Sequence, residues 1–178
     1  MRKTQCILVL CLLLLSLSGC GFRLHQPLPL AKPLQNIYVQ SRTPYGDLTR
    51  NIKQYLQMSG AQLSPSPQKA ATILNITQES ATQDLLSVNS SQQTRQYNLR
   101  LSVTFEITDP QGRVLVPPQT LTELRPLTLQ SNQILAGSNQ ATQIYQDMRH
   151  ALTFNLMNLL ASKGITHTLL HHTSPAQP

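Results

Sequence analysis

The sequence predicts an α+β fold: a two-layer sandwich with two helices on one face of a four-stranded, mostly antiparallel sheet, in the order β-α-β-β-β-α. Three observations carry this expectation. Tyr97, Leu99, Leu101, Val103, Phe105 and Ile107 occupy every second position without a break, the period of a half-buried strand. Two other stretches, 48–58 and 139 onward, repeat their apolar residues at three and four, the period of an amphipathic helix. The alternating strand offers one apolar face, so both helices have to share it. Arg100, Ser102, Thr104 and Glu106 then line a second face that stays polar and open to a partner.

The N-terminus is read as an export signal. Arg2 and Lys3 precede an apolar run over 6–17, too short for an ordinary membrane span and of the length of a signal-peptide core. Leu17-Ser18-Gly19-Cys20 resembles the bacterial lipobox, so residues 1–19 are expected to be removed and Cys20 to carry diacylglycerol on sulfur and palmitate on nitrogen. The alternative is an ordinary secretory signal or an uncleaved anchor with Cys20 an incidental thiol. Cysteine usage favours the lipoprotein: Cys6 and Cys11 leave with the signal, which leaves no thiol pair for a disulfide or a metal cluster. Several acyl chains, at about 0.8 kcal/mol per buried methylene, give a stable anchor. Gly21 in place of Asp after Cys20 implies, by resemblance to Gram-negative lipoproteins, delivery to the outer membrane. Loss of Arg2 and Lys3 lowers the formal charge from +7 to +5, carried by scattered side chains. Nucleic acid is not expected as the partner of an exported chain; an anionic lipid or glycolipid is.

Residues 20–34 read as a proline-containing tether and 35–166 as the domain. A first short strand covers 36–41 on Ile37 and Val39, and a turn follows at 42–46. Asp47 stands where a helix N-cap is wanted, Leu48, Ile52, Tyr55 and Leu56 form the helical stripe, and Gly60 provides the stop. Residues 61–69 read as a proline-interrupted loop. The second strand begins near Ala71, runs through Leu74 and Ile76, and reverses at 87–94 into the long alternating strand, so the two form a hairpin able to project beyond the sheet. Asp109-Pro110-Gln111-Gly112 is a turn. The last strand, 113–127, contains Pro117-Pro118 and is therefore bulged or at an edge. Residues 130–138 read as a loop, the final helix carries Tyr145, Met148, Leu152, Leu156, Leu159 and Leu160 on one stripe and stops at Gly164, and 167–178 read as a disordered tail.

No catalytic constellation emerges. Zinc spacing, phosphate-binding glycine loops and nucleophile elbows are absent from the sequence. His171-His172 lie in the expected tail, where a metal could be picked up only adventitiously, and no cofactor is expected. Glu106 and Glu123 could face each other across the last hairpin as a carboxylate dyad, or be solvated or paired with Arg100 or Arg125.

Read together, these segments resemble a family. Cys20-Gly21-Phe22-Arg23-Leu24, the helix at 48–60, Arg95 to Leu99 with Val103-Thr104-Phe105, the Asp109 to Gly112 turn, and Leu135-Ala136-Gly137 followed by Tyr145-Gln146-Asp147-Met148 are similar, in order, to the LptE (RlpB) family of LPS-assembly lipoproteins. The resemblance implies a non-enzymatic outer-membrane lipoprotein on the periplasmic side, held as a plug inside the β-barrel LptD and delivering lipopolysaccharide to the outer leaflet. Some members carry basic residues at the tip before the central strand and just before the last helix, where this chain has Ser90 and Gly137. Arg95, Arg100 and Arg125, near the same hairpins, are the candidates to supply that charge toward lipopolysaccharide; otherwise they are ordinary surface arginines. A second reading is a generic interaction lipoprotein, such as a transporter auxiliary subunit or a cell-wall synthase activator.

Overall fold

The computed structural model describes residues 30–89, 94–130 and 134–173. The expected signal segment, Cys20, most of the tether and Ser90 therefore lie outside the described residues. A 3-10 turn, Lys32–Gln35, opens the domain, and Leu30, Ala31 and Leu34 are buried in the core. The end of the stretch read as a tether is thus part of the domain. Its three prolines hid this, since they suppress any periodicity that Leu30 and Leu34 would show.

β1 (Asn36–Ser41) buries Ile37 and Val39, as its alternation requires. The first helix, α1 (Asp47–Met58), buries Leu48, Ile52 and Leu56 along one stripe. Its N-cap is Gly46, not Asp47, and no side chain caps it; Asp47 lies in the first turn, where its carboxylate favours the helix dipole and pairs with Arg50. The C-terminus is as expected. Gly60 takes φ +85° and donates to the Gln57 carbonyl, while Ala61 donates to that of Leu56, the two bonds of a Schellman motif.

β2 (Gln62–Leu63) lies within the residues read as a loop and pairs parallel to β1. Two residues are too few to show a period. β3 (Thr72–Val88), β4 (Thr94–Thr108) and β5 (Val114–Gln130) complete a sheet of order β2-β1-β3-β4-β5, with β1 parallel to β3 and the last three strands antiparallel. The sheet thus has five strands where four were expected, and the α+β class stands. β4 is central, flanked along its whole length, and buries Leu99, Leu101, Val103, Phe105 and Ile107. β5 is an edge strand, and its register jumps from Phe105 opposite Gln119 to Ile107 opposite Val116, so Pro117 and Pro118 are looped out as a bulge where their missing N–H groups cost no ladder bond.

α2 (Ile134–Leu160) begins earlier than its periodicity shows, within the stretch read as a loop. Gly137 is buried there against Leu129, whose terminal carbons would stand only 2.7 and 2.9 Å from an added Cβ. The helix buries Met148, Leu152, Leu156, Met157 and Leu160. Lys163 and Gly164 do not stop it. They open a third helix, α3 (Lys163–Thr173), whose first turn is capped by the Ser162 hydroxyl accepting from the Ile165 N–H at 3.3 Å. Ile165 and Leu169, four apart, are buried, so part of the expected disordered tail is a packed helix touching β5 and the opening 3-10 turn. Three helices, not two, lie on the apolar face of the sheet.

Candidate functional site

In an antiparallel pair, residues directly opposite each other share a face. The register therefore sorts every side chain of the sheet. Leu99, Leu101, Val103 and Phe105 point to the helices; Asn98, Arg100, Ser102, Thr104 and Glu106 point away, onto a face that no described element covers. Across that open face run hydroxyls and amides. Thr104 and Thr120 are cross-strand partners with their oxygens 2.8 Å apart, the Thr77 hydroxyl donates to the Thr104 carbonyl at 3.1 Å, and Asn75 reaches Thr108 at 3.1 Å.

Beyond Ile76, β3 loses its partner β1, which pairs only with 72–76. From there to Val88 it is an edge strand joined to β4 alone. Residues 81–89 are exposed on both faces, and Leu85 and Leu86 are 55% and 61% accessible. Register shifts at 76–78 and 85–87 kink the strand twice. Two side chains of α2 tie its base to the helix layer: the Tyr145 hydroxyl donates to the Thr82 carbonyl at 2.7 Å, and Arg149 Nε meets Glu79 Oε1 at 3.4 Å. Burial raises the Tyr145 pKa above its usual 10.0, the Asp84 charge adds to the rise, and Arg149 opposes it. These ties were not visible in the sequence, where Tyr145 reads only as one more residue of the helical stripe.

The three candidate arginines do not converge. Arg100 lies on the open face, opposite Thr82 on one side and Leu124 on the other. Arg125 stands opposite Leu99 and so leans to the helix side, where its Nη2 lies 3.4 Å from Glu123 Oε2. Arg95 sits near the arm's end, between Val88 and Leu129. Among the described residues neither Arg95 nor Arg100 has an ion-pair partner.

Nor do Glu106 and Glu123 form a dyad. Glu106 is on the open face beside Asn75, whereas Glu123 faces the helices, opposite Leu101, and accepts from Asn155 at 2.8 Å. The strand's alternation puts them on opposite sides. Asp109 is the turn residue expected: its Oδ1 accepts from the backbone N–H groups of Gln111 and Arg113 at 3.0 and 2.8 Å, and Oδ2 from Arg113 Nε at 2.6 Å. Burial pushes its pKa up, but the hydrogen bonds and charge of Arg113, with the Gln111 bond, outweigh that and hold it below 3.8. His171 faces His167, with Nε2 atoms 2.9 Å apart, and no group of three metal-binding side chains occurs among the described residues. No helix among them is long and apolar enough to cross a membrane.

This arrangement defines a class of protein: a small α+β domain whose helices cover one face of a mixed sheet, leaving a polar face and a long strand arm open for contact. Within that class, the family model described as "LptE: Lipopolysaccharide-assembly" matches residues 34–160, and the chain belongs to that family. The LPS-assembly lipoprotein LptE of Yersinia enterocolitica is 31% identical over 171 residues, covering 90% of this chain and 77% of that protein. The LPS-assembly lipoprotein LptE of Pectobacterium atrosepticum is 27% identical, covering 98% and 97%. Two solved structures share the fold. Lipoprotein B of Nitrosomonas europaea superposes with a TM-score of 0.68 at 19% identity, covering 88% of this chain and 99% of that one. A minor lipoprotein of Acinetobacter baumannii gives 0.61 at 24% identity, covering 84% and 100%.

Proposed function

We propose that this chain is an outer-membrane lipoprotein that plugs the β-barrel LptD and, with it, assembles lipopolysaccharide at the outer leaflet. Residues 1–19 would be its signal and Cys20 its lipid anchor, placing the domain on the periplasmic side, and no step of the role requires catalysis by the chain. The observation that carries the reading is the long sheet that the helices cover on one face only. The lumen of a large barrel is polar. A face of threonines, serines and amides with few charges, extended by a two-strand arm, suits such a lumen better than it suits lipid or a helical partner. Membership of the family supports the lipopolysaccharide role, and the basic balance of the chain suits an anionic glycolipid.

Because Arg95, Arg100 and Arg125 are dispersed, they serve as separate contact points for lipopolysaccharide phosphates and not as one cluster. Unchanged lipopolysaccharide binding after all three are replaced by Gln rejects that role. The complex itself is tested by mild-detergent purification of the full-length lipoprotein from membranes, with mass identification of what remains bound at high salt. A stoichiometric outer-membrane barrel is expected; an inner-membrane or cell-wall partner in its place sinks the proposal.

A further inference from the structure

At the closed end of the open face, where β1, β3 and β4 lie side by side, there is a cleft of about 270 Å³ lined by Gln40, Arg42, Asn75, Thr77 and Glu106, with Ser41 and Ile76 also lining it. Gln40 stands opposite Asn75, and Asn75 opposite Glu106. Three polar side chains thus form one row across three strands, spanning about 10 Å at the usual strand spacing. Arg42 follows Gln40 by two residues.

The hydrogen bonding of this row is unfinished on the cleft side. Asn75 spends its Nδ2 on Thr108 at 3.1 Å and on Glu106 Oε1 at 3.4 Å, which fixes the amide and leaves its oxygen free. Glu106 keeps Oε2. The Thr77 hydroxyl donates to the Thr104 carbonyl, and the Ser41 oxygen accepts from the Thr43 N–H and the Thr49 hydroxyl. No bond to another described residue engages the Gln40 amide or the Arg42 guanidinium, so donors from Gln40 and Arg42 and acceptors from Asn75 and Glu106 remain for an occupant. Its chemistry follows from that alternation. A bare anion would meet the Glu106 carboxylate, a cation the Arg42 guanidinium, and an apolar group would strand all four. A polyol, each hydroxyl of which both donates and accepts, satisfies every one. The volume lies just under the roughly 300 Å³ at which pockets for drug-sized ligands begin, which suits a single ring.

We propose that this cleft binds one sugar ring through its neighbouring hydroxyls, with Glu106 and the Asn75 oxygen accepting and Gln40 and Arg42 donating. It rests on the reading that the chain handles a glycolipid, and it locates contact with the saccharide part at the base of the sheet, apart from the three dispersed arginines. The experiment uses full-length lipoprotein in detergent, labelled with ¹⁵N on Asn and Gln side chains. It is titrated with dephosphorylated, lipid-free core oligosaccharide and, separately, with inorganic phosphate. The Gln40 and Asn75 side-chain amides are expected to shift with the oligosaccharide and not with phosphate. Gln40→Ala, at an exposed position that cannot unfold the domain, and Glu106→Ala should each weaken binding about tenfold, the effect of losing one charged or well-placed hydrogen bond. No shift at saturating oligosaccharide, the same shifts from phosphate alone, or wild-type affinity in both variants each overturns the proposal. Barrel capture by the same wild-type preparation is scored separately. A captured barrel without saccharide shifts overturns the cleft alone; saccharide shifts without a barrel overturn the plug role alone.

Discussion

β3 and β4 are partners over nearly their whole length, yet they lead different lives. β4 has a strand on each side and five residues sealed under the helices, while β3 beyond Ile76 has one neighbour and, from Gln78 onward, not one buried side chain. On the helix side, Ala81 and Gln83 stand directly opposite the fully buried Leu101 and Leu99 but are themselves exposed. Apolar packing by the helix layer therefore stops at β4, and the polar ties from Tyr145 and Arg149 are what reach β3. The distal half of β3 is a long open edge of the kind that pairs with other chains, and it is moderated by Glu79, Asp84 and two bulges instead of being covered. Under the proposed plug role, this long and lightly guarded edge is the surface that meets the partner.

The sharpest way to break the contrast is to empty the β4 side. Phe105→Ala removes the largest fully buried side chain and should cost about 3–5 kcal/mol in denaturant unfolding. Asp109→Ala, at the β4–β5 turn, loses acceptors for two backbone N–H groups and the Arg113 pair, and should cost about 1–2 kcal/mol. Because the folded pKa of Asp109 is lowered, its contribution is complete above 3.8 and is lost as pH falls through the folded value. The gap between wild type and Asp109→Asn should accordingly close below pH 3.8 in acid-unfolding curves. Tyr145→Phe cuts the bond from α2 to the Thr82 carbonyl and should cost about 0.5–1.5 kcal/mol. The folded pKa of Tyr145 is raised, so its contribution holds below pH 10.0 and fades as pH rises through the folded value, a fade that alkaline melts of the Phe variant should lack. Leu86→Ser, at an exposed bulge of β3, should leave thermal unfolding within about 0.5 kcal/mol of wild type. A loss comparable to that of Phe105→Ala would mean the arm is packed in the free protein.

Much of this was legible because period two is an unambiguous signal when it persists. The alternation from Tyr97 to Ile107 set the faces of β4, and Pro117-Pro118 set the edge and its bulge. The apolar residues in the distal half of β3, Ala81, Leu85, Leu86 and Val88, follow no regular period, so periodicity could not show where the strand leaves the core. Short or interrupted elements escaped for related reasons. β2 has two residues, the opening turn is broken by prolines, and α3 begins with a Lys-Gly pair that reads as a stop. There the spacing of Ile165 and Leu169 behind Ser162 was the available signal. Nearness in sequence groups the candidate arginines, whereas register places them on different faces and at different heights.

The most direct test is hydrogen–deuterium exchange of the full-length lipoprotein, alone and with the LptD barrel that the proposed role assigns to it. Alone, the amides of 78–88 should exchange well before those of 99–107, as an edge joined to one neighbour opens more readily than a flanked, buried strand. In the complex, protection is expected to rise chiefly in 78–88. Arm amides that exchange at the same rate in both states would contradict the account of this edge as the surface kept for a partner.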